Sequence, residues 1–494
     1  MGDAMAIQKA IEPYSEIHET HTGLVVLIGD QAYKIKKPIR TEFVDFSTPE
    51  RRERACRREL ELNRRLAPDS YLGLAHLSAE WAGTNEPVLV MKRRPDSCRL
   101  ATMVRSDQPV TEQLMAIAER LAGFHKTAER GKNVATQGTA AAVRTRWEAN
   151  FAELQQFVGT VVNRQRMDAI KRLAAEFIAG REPLFTGRVR GGRIVDGHGD
   201  LLADDIFCLP DGPEMLDCLE FDDNLRYVDT IDDAAFLAMD LEFLGRKDLG
   251  ELFLGQYSRL ADDPAPHSLR DFYIAYRALV RAKVDCVRFT QGHSDAAADA
   301  SRHIDVALEH LQVCSLRLAV VGGGPGAGKT TLAHALANQV GAAVISTDEV
   351  RRSMLNSGAI SGEVGVLDAG LYSDANVAAV YGEVLRQAHI QLSNGQSVIL
   401  DGTWRDPHRR DQARQLAIRT HSAEFELMCD TPAGAAAHRV ATRPAGGFSD
   451  ATPEIAAVLA DGSRRWPEAH RIDTSRPLSE SVCAAEKLWQ QALE

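Results

Sequence analysis

The sequence predicts two structural classes in one chain: an α+β arrangement over residues 1–310, and a three-layer α/β arrangement with a mostly parallel sheet over residues 316–494. In the first part, strand-like and long helical segments mix irregularly, whereas short apolar strands alternate with helices from about Leu316 onward. The Ala-rich stretch "SDAAADASRHIDVALEHLQV" between them has one apolar face and predicts a helix just before the boundary. A chain of 494 residues also exceeds what one hydrophobic core usually organises.

Composition and charge narrow the classes of function. The formal net charge of −11 argues against a nucleic-acid-binding protein, because such binding depends on Lys and Arg neutralising phosphates. The eight cysteines form no CxxC or zinc-ligand pattern, which favours free thiols in a reducing compartment. The sequence shows neither the apolar core of a signal peptide nor a membrane-length apolar run. We therefore expect a cytoplasmic protein with no membrane or nucleic-acid partner.

The first candidate site begins at a predicted β-hairpin. "LVVLIGDQAYKIKKP" reads as two strands around a two-residue turn, with Lys34 and Lys36 on the same face of the second strand. "RRERACRRELELNRRLAP" then predicts a helix with Glu59 near its middle. A strand lysine positioned by a helix glutamate is one known way to hold nucleotide phosphates. We favour Lys36 paired with Glu59, with Lys34 as the alternative.

Carboxylates are concentrated further along the same part of the chain. "HGDLLADDIF" places Asp200 two residues after His198 and Asp205 five residues beyond Asp200. The apolar stretch that follows ends at Glu220, whose carboxylate suits magnesium, as does that of Asp205. The sequence pattern does not decide which face of this stretch Asp217 occupies.

The second candidate site is a glycine-rich loop. "LRLAVVGGGPGAGKTTLAHALANQV" begins as a buried strand, turns through glycines and continues as a helix, and Gly323, Gly328, Lys329 and Thr330 fit GxxxxGK[ST]. Such a loop binds phosphates through backbone N–H groups at a helix N-terminus. The Lys329 ammonium should reach the β- and γ-phosphates, and the Thr330 hydroxyl should ligate magnesium. The predicted cradle comprises Gly323, Gly324, Pro325, Gly326, Ala327, Gly328, Lys329, Thr330 and Thr331.

Later strands end in polar residues. Asp348 follows the short strand in "AAVISTDEVRR", and Asp401 ends the strand in "QSVILDGTW". Arg439 and Arg443 lie beside a Gly/Pro/Ser-rich segment that could close over phosphates. Because parallel sheets place ligands at the carboxyl ends of their strands, we expect these residues around one site. The alternatives are a helix cap for Asp348, a strand-end turn for Asp401, and solvated charges for the arginines.

The motifs "AYKIKKP", "HGDLLADDI" and "LEFDDNLRYVD" resemble the aminoglycoside-phosphotransferase and choline-kinase-like family. That resemblance implies a protein-kinase-like fold with a small lobe (about 1–100) and a helical lobe (about 101–310). It also implies that Asp200 acts at the acceptor hydroxyl, while Asp205 and Glu220 hold metal. This sequence departs from the family in lacking a GxGxxG loop, in having Asp205 where the family has Asn, and in having Glu220 for the usual Asp.

The stretches "GGPGAGKT" and "STDEVRR" resemble small P-loop kinases of the gluconate-kinase, adenylate-kinase and zeta-toxin type. There, a residue like Asp348 contacts the acceptor, one like Asp401 lies near magnesium, and lid arginines like Arg439 and Arg443 stabilise the transferred phosphate. The whole chain is similar to bacterial proteins that join both kinds of domain.

These observations together predict an ATP- or GTP-using, Mg²⁺-dependent phosphotransferase. It would act on a small hydroxylated metabolite, with the P-loop site active and the N-terminal site active or regulatory. A ligand-sensing regulatory ATPase and a toxin-like sugar-nucleotide kinase are the alternatives. The acceptors and the oligomeric state are not predicted.

Overall fold

The computed structural model describes residues 14–19, 22–40, 45–79, 84–363, 370–442 and 466–492. Among these residues, no helix combines the length and the apolar character needed to cross a membrane. The chain packs into two compact units. The first contains residues 1–138, 188–265 and 277–281, and the second contains residues 139–187, 266–276 and 282–494.

The elements alternate irregularly in the first half of the chain and regularly in the second. The strands are β1 (Ser15–Glu19), β2 (Gly23–Ile28), β3 (Gln31–Lys36), β4 (Tyr71–Ala79), β5 (Thr84–Lys92), β6 (Ile194–Asp196), β7 (Ile206–Leu209), β8 (Gly212–Met215), β9 (Tyr227–Asp229), β10 (Arg317–Gly322), β11 (Ala343–Ser346), β12 (Val398–Asp401), β13 (Ala423–Asp430) and β14 (His470–Asp473). The helices are α1 (Pro49–Asn63), α2 (Leu100–Arg105), α3 (Thr111–Thr127), α4 (Lys132–Thr136), α5 (Ala140–Leu154), α6 (Arg164–Gly180), α7 (Glu182–Arg190), α8 (Asp223–Arg226), α9 (Thr230–Phe243), α10 (Lys247–Leu260), α11 (His267–Thr290), α12 (Ala296–Cys314), α13 (Lys329–Val340), α14 (Thr347–Asn356), α15 (Asp374–Ser393), α16 (Pro407–Arg419), α17 (Ala433–Ala441) and α18 (Leu478–Gln491).

An antiparallel sheet of order β1-β2-β3-β5-β4 forms the start of the first unit. Its central hairpin turns at Gly29, whose φ of 59° suits the two-residue turn that pairs Ile28 with Gln31. Helix α1 packs on β4 and β5, and Thr48 caps it by accepting a hydrogen bond from the Arg51 backbone N–H. The sheet thus presents β3 to α1, which brings the strand lysines opposite the helix glutamate.

Two short hairpin-like pairs and the buried helix α9 organise the rest of the first unit. Strand β7 pairs with β8, and β6 pairs with β9. Every residue of α9 from Thr230 to Met239 is buried. This helix therefore forms a fixed support beside the segment that precedes β7.

A parallel sheet of order β11-β12-β10-β13-β14 forms the centre of the second unit. Along β10, Leu318 and Val320 pack into one buried core, while Ala319 and Val321 pack into the other. A strand that is buried on both faces is typical of a sheet covered by helices on both sides. The predicted fold class, a parallel α/β region after an α+β region, is confirmed.

The second unit also contains helices from the earlier part of the chain. Helix α5, helix α6 and most of α11 belong to it, and Trp147 and Phe177 pack against Phe272 with ring centroids 5.4 and 4.3 Å apart. The predicted boundary at 310–316 divides the chain into two continuous segments. The two compact units are instead defined by which residues pack together, so each contains several separate segments. That boundary stays a prediction.

Candidate functional site

The glycine-rich loop joins the end of β10 to the start of α13. Three of its residues, Gly323, Gly326 and Gly328, have φ values of 142°, 75° and 85°, which other residues rarely adopt. A Cβ on Gly326 would lie 2.3 Å from the Ala436 carbonyl oxygen. The predicted phosphate-binding loop from Gly323 to Thr331 therefore has a backbone conformation that depends on its glycines, and it leads directly into the N-terminus of α13.

Two side chains of this loop contact polar groups at the carboxyl edge of the sheet. The Lys329 ammonium donates to the Gly324 carbonyl oxygen at 2.9 Å. The Thr330 hydroxyl donates to Asp401 Oδ2 at 2.8 Å, because β12 lies beside β10 in register and ends at Asp401. The structure thus brings Thr330 and Asp401 together as the sequence predicted.

Asp401 combines burial with unused hydrogen-bonding capacity. Its side chain is buried, and its Oδ1 atom accepts no hydrogen bond from the described residues. Burial raises the pKa of this carboxyl, although the Lys329 charge opposes the effect. A buried carboxylate oxygen beside a hydroxyl fits the oxygen ligands that Mg²⁺ prefers, and in P-loop proteins these two residue types hold that ion.

Asp348 lies at the end of the neighbouring strand, in the first turn of α14. The N-cap of that helix is Ser346, so capping is not the role of Asp348. Its carboxylate pairs with Arg351 at 2.6 Å, and the Arg351 guanidinium lies 4.6 Å from the centre of the Tyr372 ring. Ser346, the last residue of β11, pairs directly with Asp401 in the sheet. Asp348 lies two residues after Ser346, so it is at the same edge of the sheet as Asp401.

Of the two predicted lid arginines, Arg439 lies among the described residues and Arg443 does not. Arg439 donates to the Thr474 carbonyl oxygen at 2.8 Å and to the Gly326 carbonyl oxygen at 3.4 Å. The Thr474 hydroxyl in turn donates to the Ala327 carbonyl oxygen at 2.6 Å. Arg439 therefore lies directly against the P-loop, while Arg443 lies outside the described residues.

In the first unit, one glutamate pairs with both candidate lysines. Glu59 is fully buried, and its two carboxylate oxygens lie 2.8 Å from the Lys34 ammonium and 2.7 Å from that of Lys36. Burial alone would raise the pKa of Glu59, but the two lysine charges hold it below its usual value. The favoured pair of Lys36 with Glu59 is present, and so is the alternative pair with Lys34.

The two lysines differ in their second partner. The Lys34 ammonium lies 2.6 Å from Asp217 Oδ1, whereas Lys36 lies 2.7 Å from Glu220 Oε1. Asp217 has a φ of 63°, so the chain turns sharply just after β8. The Lys34 charge lowers the pKa of the Asp217 carboxyl.

Asp200 and Asp205 share a negative environment with Asp217. Burial raises the pKa of Asp200 to about 6, with Arg281 opposing and Asp217 reinforcing the effect. Burial, followed by the charges of Asp217 and Asp200, raises the pKa of Asp205 well above its usual value. Asp217 is thus the carboxylate that acts most strongly on Asp205, while Glu220 is paired with Lys36. Within the described residues, no three His, Cys, Asp or Glu side chains are arranged to hold a metal ion.

Buried groups that the sequence did not single out hold this loop in place. Asp233 accepts hydrogen bonds from the backbone N–H groups of His198 and Gly199, at 2.7 and 2.8 Å. It also contacts the His125 ring at 2.9 Å, and that ring contacts the Tyr257 hydroxyl at 2.7 Å. The buried His125 ring therefore has a partner on each of its two nitrogens.

Arg277 ties the same loop to helix α11. Its guanidinium donates to the Gly199 carbonyl oxygen at 3.0 Å and pairs with the buried Asp232 at 2.7 Å. The backbone on the amino side of Asp200 is therefore fixed from two directions. The only sequence signal for this role was a basic residue on the mostly apolar helix "DFYIAYRALVRAKV".

The first site combines a lysine–glutamate pair with nearby aspartates, an arrangement typical of kinase-like folds. The second site, later in the chain, is a P-loop. The family described as "AAA domain" matches residues 318–465, which confirms the predicted P-loop domain. Over 482 residues, the chain is 57% identical to "Uncharacterized protein Rv2004c" of Mycobacterium tuberculosis H37Rv, covering 98% of this chain and 97% of that protein. The chain belongs to the same family as that mycobacterial protein.

Two of the solved structures to which stretches of this chain are similar are described as follows. A choline/ethanolamine kinase family protein from Mesorhizobium loti covers 62% of this chain and 95% of its own, with 13% identity and a TM-score of 0.38. A sugar kinase from Janibacter covers 35% and 93%, with 20% identity and a TM-score of 0.28.

Proposed function

We propose that the protein is an ATP- and Mg²⁺-dependent phosphotransferase whose P-loop site phosphorylates a hydroxyl group of a small metabolite. The observation that carries this proposal is the meeting of the P-loop, Asp401 and Asp348 at the carboxyl ends of three adjacent parallel strands. The hydrogen bond from Thr330 to Asp401 supports it, as does the free Oδ1 atom of Asp401 among the described residues. GTP is the alternative donor.

Each residue of the P-loop site has a distinct role in the proposal. Backbone N–H groups of the loop from Gly323 to Thr331, except at Pro325, which has no N–H, bind the phosphates, and the Lys329 ammonium offsets their charge. Thr330 and Asp401 would hold Mg²⁺, which supplies charge neutralisation of the phosphate oxygens when bound. Asp348 accepts the proton of the acceptor hydroxyl, while Arg439 stabilises the charge of the transferred phosphate. The same role is proposed for Arg443.

The N-terminal site has the groups for a second, kinase-like reaction. We propose that Lys34 contacts the nucleotide phosphates, with Glu59 and Lys36 positioning it, because Lys34 is the lysine that faces Asp217. Asp200 orients and deprotonates the acceptor, on a loop fixed by Asp233 and Arg277. Asp205 and Asp217 would be the metal ligands, and Glu220 would serve mainly as the partner of Lys36.

The test is to measure ATP turnover with Mg²⁺, with and without a metabolite extract, for the wild type, Lys329→Ala and Asp200→Asn. We expect Lys329→Ala to reduce extract-stimulated turnover by at least about 100-fold, because it removes a charge that stabilises the transferred phosphate. If Asp200→Asn removes a separate labelled product, both sites are kinases. That product should then increase as the pH rises through about 6, because the pKa of Asp200 is raised to about 6 and only the ionised form accepts a proton.

The controls distinguish this proposal from a regulatory ATPase. Arg386→Ala changes an exposed arginine that pairs with Glu383 on α15, and it should leave both activities unchanged. Turnover that is never stimulated by any acceptor, in any variant, would contradict a kinase function. It would favour an ATPase that responds to a ligand.

A further inference from the structure

A cavity of about 330 Å³ lies at the amino-terminal edge of the parallel sheet. Its walls come from α6, from the segment that joins α16 to β13, and from the start of β10. All of these elements belong to the second compact unit. The P-loop follows the opposite end of β10, and a six-residue strand is about 20 Å long. The cavity is therefore separate from the proposed P-loop site.

The cavity is lined by an arginine that has no carboxylate partner among the described residues. Arg181 is only 1% exposed, and it donates to the backbone carbonyl oxygens of Thr420 at 2.5 Å and His421 at 3.4 Å. Its Nε atom has no hydrogen-bond partner among the described residues. Burial lowers the pKa of Arg181 to about 10, and no carboxylate within the described part of the chain offsets that effect. A buried guanidinium normally has an anionic partner, because burying an unpaired charge is costly.

A second buried arginine lies close to the first. Arg317 donates to the carbonyl oxygens of Trp489 and Ser315, at 2.7 and 2.8 Å. Its pKa is also lowered to about 10 by burial. Burial raises the pKa of the Cys314 thiol, the Asp271 charge reinforces that effect, and the charges of both arginines oppose it. Arg317 does not line the cavity, so Arg181 is the buried cation of the cavity wall.

The remaining polar groups of the cavity suit a small ligand with an anionic end. Ser315, His421 and Ser422 line it together with Arg181, and they can donate or accept hydrogen bonds. Arg172 and Glu176 also line it, but they pair with each other at 3.2 Å and are roughly half exposed. Their charges offset one another, so Glu176 does not neutralise Arg181. The volume lies at the lower end of the range for small-molecule sites.

We propose that this cavity binds a small phosphorylated metabolite, of the size of a sugar phosphate, with its phosphate group against Arg181. The ligand is bound rather than transformed, since none of the proposed catalytic residues lines the cavity. Helix α6 is fixed at the same place, because a Cβ on Gly180 would lie 2.3 Å from the Thr420 carbonyl oxygen. Ligand binding would therefore stabilise the contact between the end of α6 and the segment that joins α16 to β13.

The experiment measures binding of ribose 5-phosphate by calorimetry, with ribose and inorganic phosphate as comparisons. The full chain carrying Lys329→Ala is used, because the P-loop is itself a phosphate site. We expect ribose 5-phosphate to bind, inorganic phosphate to bind more weakly and ribose not to bind. Arg181→Gln in the same background should weaken the affinity at least about 10-fold, as expected for a charge-assisted contact.

A second variant covers the case in which Arg181→Gln does not fold. Ser422→Glu adds a carboxylate to the cavity wall at a partly exposed position and should weaken binding to a similar degree. Arg386→Ala is the matched control for loss of an arginine elsewhere in the second unit, and it should bind normally. Absence of ribose 5-phosphate binding to the Lys329→Ala protein would overturn the proposal. So would binding that is unchanged in both cavity variants.

Discussion

At the scale of single residues, the N-terminal site is distinguished by one carboxylate shared between two lysines. Lys34 and Lys36 are two residues apart on β3, and each ammonium contacts a different carboxylate oxygen of Glu59. The sequence predicted both lysines on one face, but only the structure shows that they diverge to Asp217 and Glu220. That difference depends on the left-handed backbone of Asp217, which no residue pattern indicated.

The divergence leads to a prediction about the metal site proposed for the first unit. Asp217→Asn should weaken Mg²⁺-dependent binding of a non-hydrolysable ATP analogue at least about 10-fold, because it removes a charged ligand beside Asp205. Glu220→Gln should have a smaller effect, since Glu220 is the partner of Lys36. The measurement is a Mg²⁺ titration in the Lys329→Ala background. A larger loss from Glu220→Gln than from Asp217→Asn would restore Glu220 as the metal ligand.

At the scale of elements, the P-loop was the most predictable feature, because the residues that form it are neighbours in the sequence. Gly323 to Thr331 are contiguous, and the strand before them and the helix after them are both visible in the sequence. The first-unit site is assembled instead from β3, α1, the loop before β7 and the turn after β8. Its support by His125, Asp233 and Arg277 comes from three further helices, so contacts over long sequence distances decide it.

The geometry of the P-loop predicts that Gly326 cannot be replaced. Gly326→Ala should lower the free energy of unfolding by about 2 kcal/mol or more, because its φ of 75° strains an alanine and the new Cβ would meet the Ala436 carbonyl oxygen. Gly382→Ala on α15 is the control: its Cβ would meet no atom within 4 Å, and alanine should stabilise the helix by about 0.5–1 kcal/mol. Urea unfolding measures both. Equal effects of the two substitutions would contradict this account.

At the scale of the whole molecule, packing and chain order divide the protein differently. The sequence predicted a boundary at 310–316, where the pattern of strands and helices changes. In the second unit, however, Gly180 and Arg181 contact Thr420, and Ser268 donates to the Gly395 carbonyl oxygen at 2.7 Å. Sequence patterns report local periodicity, so they could not show that the end of α6 contacts the segment between α16 and β13, more than two hundred residues later in the chain.

These contacts predict that residues 316–494 alone are less stable than the same residues in the full chain. The fragment should unfold at least about 5 °C lower, because it loses the packing and hydrogen bonds provided by α6, α7 and the start of α11. The measurement compares two midpoint temperatures: that of thermal unfolding of the fragment, and that at which the heated full chain loses nucleotide binding at the P-loop. Equal midpoints would show instead that 310–316 separates independently stable domains.

The alternation of the chain between its two units also has a consequence for biosynthesis. The chain passes from one unit to the other five times, at 138, 187, 265, 276 and 281. Helices α5 and α6 leave the ribosome before α11 and α12, the helices against which they pack in the second unit, have been translated. Their apolar faces therefore stay exposed, or held by a chaperone, until those two helices have been made. For this protein, translation speed and chaperone supply should influence the yield of folded chains.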